Sequence, residues 1–153
     1  MPTQRLKDFL NQNDVEYVSI KHPPGYTAQE IAAIAHIPGQ EMAKTVIVKI
    51  DGELAMVVLP APYKVDLKLL KRATNADKVE LASEEEFRNQ FPECELGAMP
   101  PFGNLYGVNE WVDESLCEDD MITFNAGSHT ELVRLSYKKF EELTHPHVAK
   151  LHA

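Results

Sequence analysis

With 153 residues the chain is the size of one ordinary domain, long enough to bury roughly two thirds of its unfolded surface. Its formal net charge of −9 works against broad binding to nucleic acid, whose affinity comes from counterions released by many lysines and arginines, so extended contact with DNA is not expected. Two cysteines, Cys94 and Cys117, with no CxxC and no histidine at zinc-finger spacing, indicate neither a disulfide framework nor a structural zinc.

The opening MPTQRLKDFLNQ is amphipathic and charged rather than a secretory core, and no run of about 18 apolar residues occurs to span a bilayer. A single soluble domain over 1–153, in a reducing cytoplasm and without membrane contact, is the expectation. Leu6, Phe9 and Leu10 fall on one helical stripe, and EYVSIKH alternates as a short strand ending at Pro23-Pro24-Gly25. Thr27 with Glu30 has the form of a capping box, with Ile31, Ile34 and Ala35 as the inner face of a second helix that stops before Pro38-Gly39. KTVIVKI and ELAMVVL flank Asp51-Gly52, the pair favoured by a two-residue type I′ turn; such a hairpin sets Ile50 opposite Glu53 and Lys44 opposite Leu59. Both strands are β-branched and nearly continuously apolar, which predicts central positions in the sheet.

After Pro60-Ala61-Pro62 the segment YKVDLKLLKRAT predicts a helix, and Ser83 with Glu86 caps another running through Phe87 to Gln90. Residues 91–107, FPECELGAMPPFGNLYG, have no period and little charge, which predicts a structured loop rather than a linker. Short strands follow near Val108, over Met121–Phe124 and over Thr130–Leu135, with an Asn-Ala-Gly-Ser turn placing His129 at the mouth of the last; YKKFEELT is a final helix. The irregular alternation of strands and helices, with one tight hairpin, predicts an α+β domain with a central mixed, twisted β-sheet flanked by helices.

Four features carry possible chemistry, each with a plainer reading beside it. Lys44 shares a strand face with Val46, Val48 and Ile50, so its ammonium either snorkels out at the strand end or meets an anion or carbonyl in a cleft. The loop GAMPPFG, Gly97 to Gly103, either offers backbone N–H groups to an oxyanion or packs under its own Met99 and Phe102. His129 is either an acid, base or substrate donor or an ordinary hydrogen-bonded loop histidine. Lys64, Lys68 and Arg72 at i, i+4, i+8, with Lys71 beside them, form either a grip for a few phosphates or a solvated helix face. The tail HPHVAKLH, read as frayed and without carboxylate partners, is not expected to bind metal.

Lys44 in AKTVIVK, Gly97 to Pro101 in GAMPPFG, and AGSHTELVRLSY occur in an order that resembles the YbaK and prolyl-tRNA synthetase associated editing domains, including the free-standing deacylases, over nearly the whole chain. The resemblance implies hydrolysis of the ester joining a wrong amino acid to the 3′ end of tRNA, commonly proline tRNA, without cofactor or metal. It implies that Lys44 holds the substrate near its terminal adenosine, that Gly97 and Pro101 belong to the Gly-x-x-x-Pro loop shaping the site, and that His129 matches the histidine of the alanine-removing branch. Ala98, Met99, Pro100, Phe102, Gly103, Gly127 and Ser128 are then the expected substrate-binding neighbours, and Lys64, Lys68, Lys71 and Arg72 the expected tRNA grip. The expected partner is the acceptor end of an aminoacyl-tRNA, with an aminoacyl-tRNA synthetase as a candidate second partner. The rival expectation is a module of the same fold that binds such an end, or a synthetase, without turnover.

Overall fold

The computed structural model describes residues 4–23, 32–33, 38–92, 94–95 and 97–153. The capping box at Thr27 and Glu30, and most of the helix it would start, lie outside the described residues. Among the described residues, eight strands form one mixed sheet: β1 (Val18–Lys21), β2 (Met42–Ile50), β3 (Glu53–Pro60), β4 (Val79–Leu81), β5 (Asn109–Asp113), β6 (Met121–Ser128), β7 (Glu131–Ser136) and β8 (His147–Ala149). Their order is β1-β7-β6-β2-β3-β5-β8, with β4 on the far half of β2. Parallel pairs β2/β6, β3/β5 and β5/β8 are combined with antiparallel β1/β7, β2/β3, β2/β4 and β6/β7, so the α+β mixed sheet expected from the pattern is what forms.

The Asp51-Gly52 hairpin has the predicted register, Ile50 opposite Glu53 and Lys44 opposite Leu59, because φ of 49° and 85° at the two turn residues suits the twist of the flanking strands. Alternation then divides the side chains between two faces. Ala43, Ile47, Met56, Val58, Ile122 and Phe124 join the larger cluster, covered by Leu6 and Leu10 of α1 (Gln4–Gln12) and by Phe140 of α4 (Tyr137–Thr144). Val48, Ala55, Val57 and Leu59 face the other way, against Leu70 of α2 (Leu67–Thr74) and Leu151. Helix α3 (Glu84–Phe87) carries the predicted capping box, the Ser83 hydroxyl accepting from Glu86 N and the Glu86 carboxylate from Ser83 N.

Two expectations are corrected. Helix α2 begins at Leu67, not near Lys64, because the Asp66 carboxylate accepts from Lys68 N (2.9 Å) and Leu69 N (3.1 Å) and so caps it. The tail is not frayed: β8 pairs with β5, Leu151 is buried, and fully buried Asp113 accepts from Leu151 N (2.7 Å) and pairs with His152 Nδ1 (2.9 Å). The His152 ring also stacks on Tyr63 with centroids 3.9 Å apart.

Candidate active site

Lys44 lies on the face that carries Val46, Val48 and Leu59, as alternation predicts, and is half-buried. Its ammonium donates to Ala61 O (3.0 Å), while Ala61 N donates to Met42 O (2.8 Å), so the turn after β3 is tied at both ends to the start of β2. Burial, and secondly the charge of nearby Lys64, holds the Lys44 pKa below the usual lysine value. Although left out of the helix, Lys64 thus lies within electrostatic reach of Lys44. Lys68, Lys71 and Arg72 remain on α2 and line a shallow depression with Asn75 and Ala76.

The histidine motif is built differently from its expectation. Asn125, Ala126, Gly127 and Ser128 are not a turn but the end of β6, and His129-Thr130 is the turn into β7. A bulge between Asn125 and Ser128 makes this possible, because Gly127 adopts φ 100°, a conformation that L side chains rarely adopt. The bulge turns both Gly127 backbone groups toward the 95–98 stretch: Gly127 N donates to Ala98 O (2.9 Å) and Gly127 O accepts from Glu95 N (2.8 Å). Gly97 is thereby set against His129, so close that a Cβ added to it would lie 3.5 Å from the imidazole Cε1 and 3.9 Å from Nε2. Two of the three motifs therefore meet through one bulge.

The third stands beside them. Strand β2 runs parallel to β6 with Met42 opposite Thr123 and Ala43 opposite Phe124, so Lys44 and Asn125 leave the paired section at the same end and on the same face. Along the loop, Ala98 N donates to Glu95 O (3.0 Å), Phe102 N to Pro100 O (2.8 Å) and Gly103 N to the Glu110 carboxyl (2.7 Å). Pro100 and Pro101 have no N–H, so among the described residues the uncommitted amides of the 97–103 loop are those of Gly97 and Met99. Ala98, Met99 and Phe102 are buried, Met99 and Phe102 in the larger cluster, where Phe102 meets the edge of Phe9 at 5.9 Å. The packed reading of the loop thus holds for these side chains, and the exposed part is Gly97. Ser128 is fully buried, its hydroxyl 3.3 Å from that of Thr130.

Several buried polar groups near this region had no signature in the sequence. Thr123 Oγ1 and Asn125 Oδ1, on the Lys44 face of β6, are buried without a partner among the described residues. Each such group costs about 1–3 kcal/mol, and native structures rarely leave one without cause. Glu110 supports the loop from behind with one oxygen while the other has no partner; burial pushes its carboxyl up to about 8. Polar residues in a core strand are the signal that could have found them, but only burial distinguishes them from solvent-facing ones. Among the described residues no three His, Cys, Asp or Glu side chains are grouped to hold a metal ion, and no helix is long and apolar enough to cross a membrane.

Known proteins share this fold. The chain is 38% identical over 81 residues to a proline–tRNA ligase of Staphylococcus saprophyticus, covering 53% of this chain and 13% of that protein. It is 25% identical over 153 residues to the proline–tRNA ligase of Leuconostoc citreum, covering 95% of this chain and 26% of that one, so the chain spans at most about a quarter of these relatives. The solved structure of a candidate trans-editing enzyme for prolyl tRNA synthetase superposes with a TM-score of 0.83 at 21% identity, covering 98% of this chain and 96% of that one. A second solved structure, of a hypothetical protein, gives 0.87 at 20% identity over 98% and 100%. The model of the aminoacyl-tRNA editing domain matches residues 22–143, and the chain belongs to that family.

Proposed function

We propose that this chain is an aminoacyl-tRNA deacylase acting in trans, in the cytoplasm and as a single domain, on proline tRNA carrying a small wrong amino acid, alanine first among them. The observation that carries the reading is the Gly127 bulge, which sets Gly97 against His129 at the sheet end where Lys44 emerges. An aminoacyl ester is already activated, so little equipment is needed. Water adds to the ester carbonyl, the bond to the ribose oxygen breaks, and the products are the free amino acid and the tRNA hydroxyl. In this reading the Gly97 and Met99 amides line the position where negative charge develops on the carbonyl oxygen, and the Lys44 ammonium, with N–H groups beyond the one given to Ala61 O, holds the substrate. His129 orients substrate or water, and a ribose hydroxyl of the substrate assists. Lys68, Lys71 and Arg72 supply the few phosphate contacts that an acceptor end requires.

A non-catalytic binder is the second reading, since the Lys44 ammonium already has a carbonyl partner. A panel of aminoacylated tRNAs that includes alanyl and seryl proline tRNA separates the two. Lys44→Ala is expected to lower kcat/KM on the preferred ester about 100-fold or more with the thermal melt unchanged. Retained activity in that variant removes the lysine assignment, and a wild-type protein inert on every ester leaves the binder.

A further inference from the structure

The C-terminal tail, which the site as described does not use, ends against the turn that holds Lys44. Pro60 to Tyr63 form a tight turn after β3, closed by Tyr63 N donating to Pro60 O (3.1 Å), and the carbonyl that accepts from the Lys44 ammonium (3.0 Å) is the one in its middle, that of Ala61. Pro62 has no N–H, so the turn makes few bonds of its own. On the β2 side Tyr63 accepts from the exposed Gln40 side chain at its hydroxyl (2.9 Å). On the other side its ring lies flat on that of His152, with 3.9 Å between centroids and 6° between planes. The imidazole is only 18% exposed, and its Nδ1 donates to the fully buried carboxylate of Asp113 (2.9 Å), because an ionised carboxylate can only accept. Leu151 is fixed beside it, its N–H donating to Asp113 (2.7 Å) and its carbonyl accepting from Asp66 N (2.7 Å). Asp113 belongs to β5, which lies beyond β3 from β2, so the turn hangs between the strand of Lys44 and a strand two places away.

A lysine ammonium on a flexible four-carbon stem is aimed only as well as the acceptor that holds it. We propose that His152 is a positioning residue for deacylation, its ring holding Tyr63 against the Asp113 anchor and so fixing the Ala61 carbonyl that aims the Lys44 ammonium, an inference that rests on the deacylase reading. The N–H groups of Lys44 not given to Ala61 O then keep one direction toward the substrate. Without the ring, the turn retains only its exposed tie to Gln40 and its contacts with β2, and the ammonium gains both freedom and water. The lysine, whose pKa is held down first by burial, then returns toward the ordinary lysine value.

The test separates the ring from its hydrogen bond. His152→Phe keeps a ring for Tyr63 and gives up the bond to Asp113, which still accepts from Leu151 N and Ser115 N. His152→Gln keeps a donor for Asp113 and gives up the ring, and His152→Ala gives up both. Two quantities are measured on each full-length variant: kcat/KM on alanyl proline tRNA, and the pH midpoint for acetylation of Lys44 by trace acetic anhydride, read by mass spectrometry, which needs no turnover. His152→Ala and His152→Gln are expected to lower kcat/KM about 10-fold and to move the Lys44 midpoint upward, whereas His152→Phe stays within about 3-fold of wild type with its midpoint in place. Losses that follow the melting temperatures of the variants while the midpoint stays still overturn the assignment, and so does full activity in His152→Ala; both outcomes leave the deacylase intact. A wild-type protein inert on every ester, with the midpoint still moving in His152→Ala and His152→Gln, keeps the brace on Lys44 and overturns the deacylase. Inertness with an unmoved midpoint overturns the two together.

Discussion

The β2–β3 and β6–β7 hairpins use similar apolar residues and close in opposite ways. In the first, Asp51-Gly52 provides the positive φ angles of the turn, and the ladder runs unbroken from Ile50/Glu53 to Ala43/Pro60. In the second the turn residues are His129 and Thr130, neither with positive φ, and the irregularity lies in the strand, at Gly127. Ladder hydrogen bonds given up at the bulge go to the 95–98 stretch instead. One hairpin is therefore a core element that happens to carry Lys44, whereas the other is a clamp for the loop opposite its own turn. Regularity marks the part that folds the protein, and departure from it marks the part that shapes the site.

The largest expected effect concerns the loop between these clamps. Gly127 holds its start and Glu110 its end, and Gly103 has no room for a side chain, an added Cβ falling 2.7 Å from Val108 O. An unfolded glutamate has a pKa near 4.5, whereas burial holds Glu110 at about 8, so between these values the folded protein keeps a proton that the unfolded chain has lost. Stability is fully present below the lower value, falls as pH rises through the window, and is flat above it. The loss amounts to about 4 to 5 kcal/mol. Glu110→Gln keeps an acceptor for Gly103 N and removes the ionisation, so denaturant melts at pH 5 and pH 9 should show a much smaller difference than wild type. An equal pH dependence in the variant means that Glu110 is not the group responsible.

The glycines separate the hairpins more directly. Gly52→Ala, at φ 85° with nothing near an added Cβ, is expected to cost about 1 kcal/mol of stability and leave activity within about twofold. Gly127→Ala, at φ 100°, forces the bulge to rearrange and frees the 95–98 stretch, which is expected to cost about 1–3 kcal/mol and lower deacylation at least about 10-fold. Melting and turnover measured on both variants decide the matter. If the two variants affect activity equally, the bulge is not the device that assembles the site.

The sequence made the first hairpin legible to the residue, because its turn chemistry is local and its strands are apolar on both faces. The stripe of α1, the Ser83 capping box and the bounds of α4 were legible for the same local reasons. What could not be read depends on distant partners. Strand β8 exists because Asp113, 39 residues from His152 and 38 from Leu151, holds the tail. The bulge looks like a turn in NAGS because glycine serves either, and only pairing with Ala98 and Glu95 makes it part of a strand. Lys64 was placed on a helix by spacing alone, although Asp66 was there to cap it. Lys44, Gly97 and His129 were identified as a set, but the proximity of Gly97 to His129, and the burial of Asn125 Oδ1 and Glu110 Oε2 without a partner among the described residues, follow from three-dimensional packing alone.

The smallest expected effect tests whether the first hairpin contributes more than a scaffold. Lys44 is held below the ordinary lysine pKa first by burial and then by the charge of Lys64, an exposed residue. If the Lys44 ammonium holds the ester, activity declines on the alkaline side as it loses its proton, and the lowered pKa brings that limb to lower pH than for an unperturbed lysine. Lys64→Ala removes only the second cause, so the limb should move upward, with activity near pH 7 nearly unchanged. The shift should shrink in high salt, since solvent screens a charge as exposed as that of Lys64. A limb that does not move, or one that moves equally in Lys68→Ala on the far side of the Asp66 cap, would assign the alkaline decline to a group other than Lys44 and leave the β2–β3 hairpin a structural element alone.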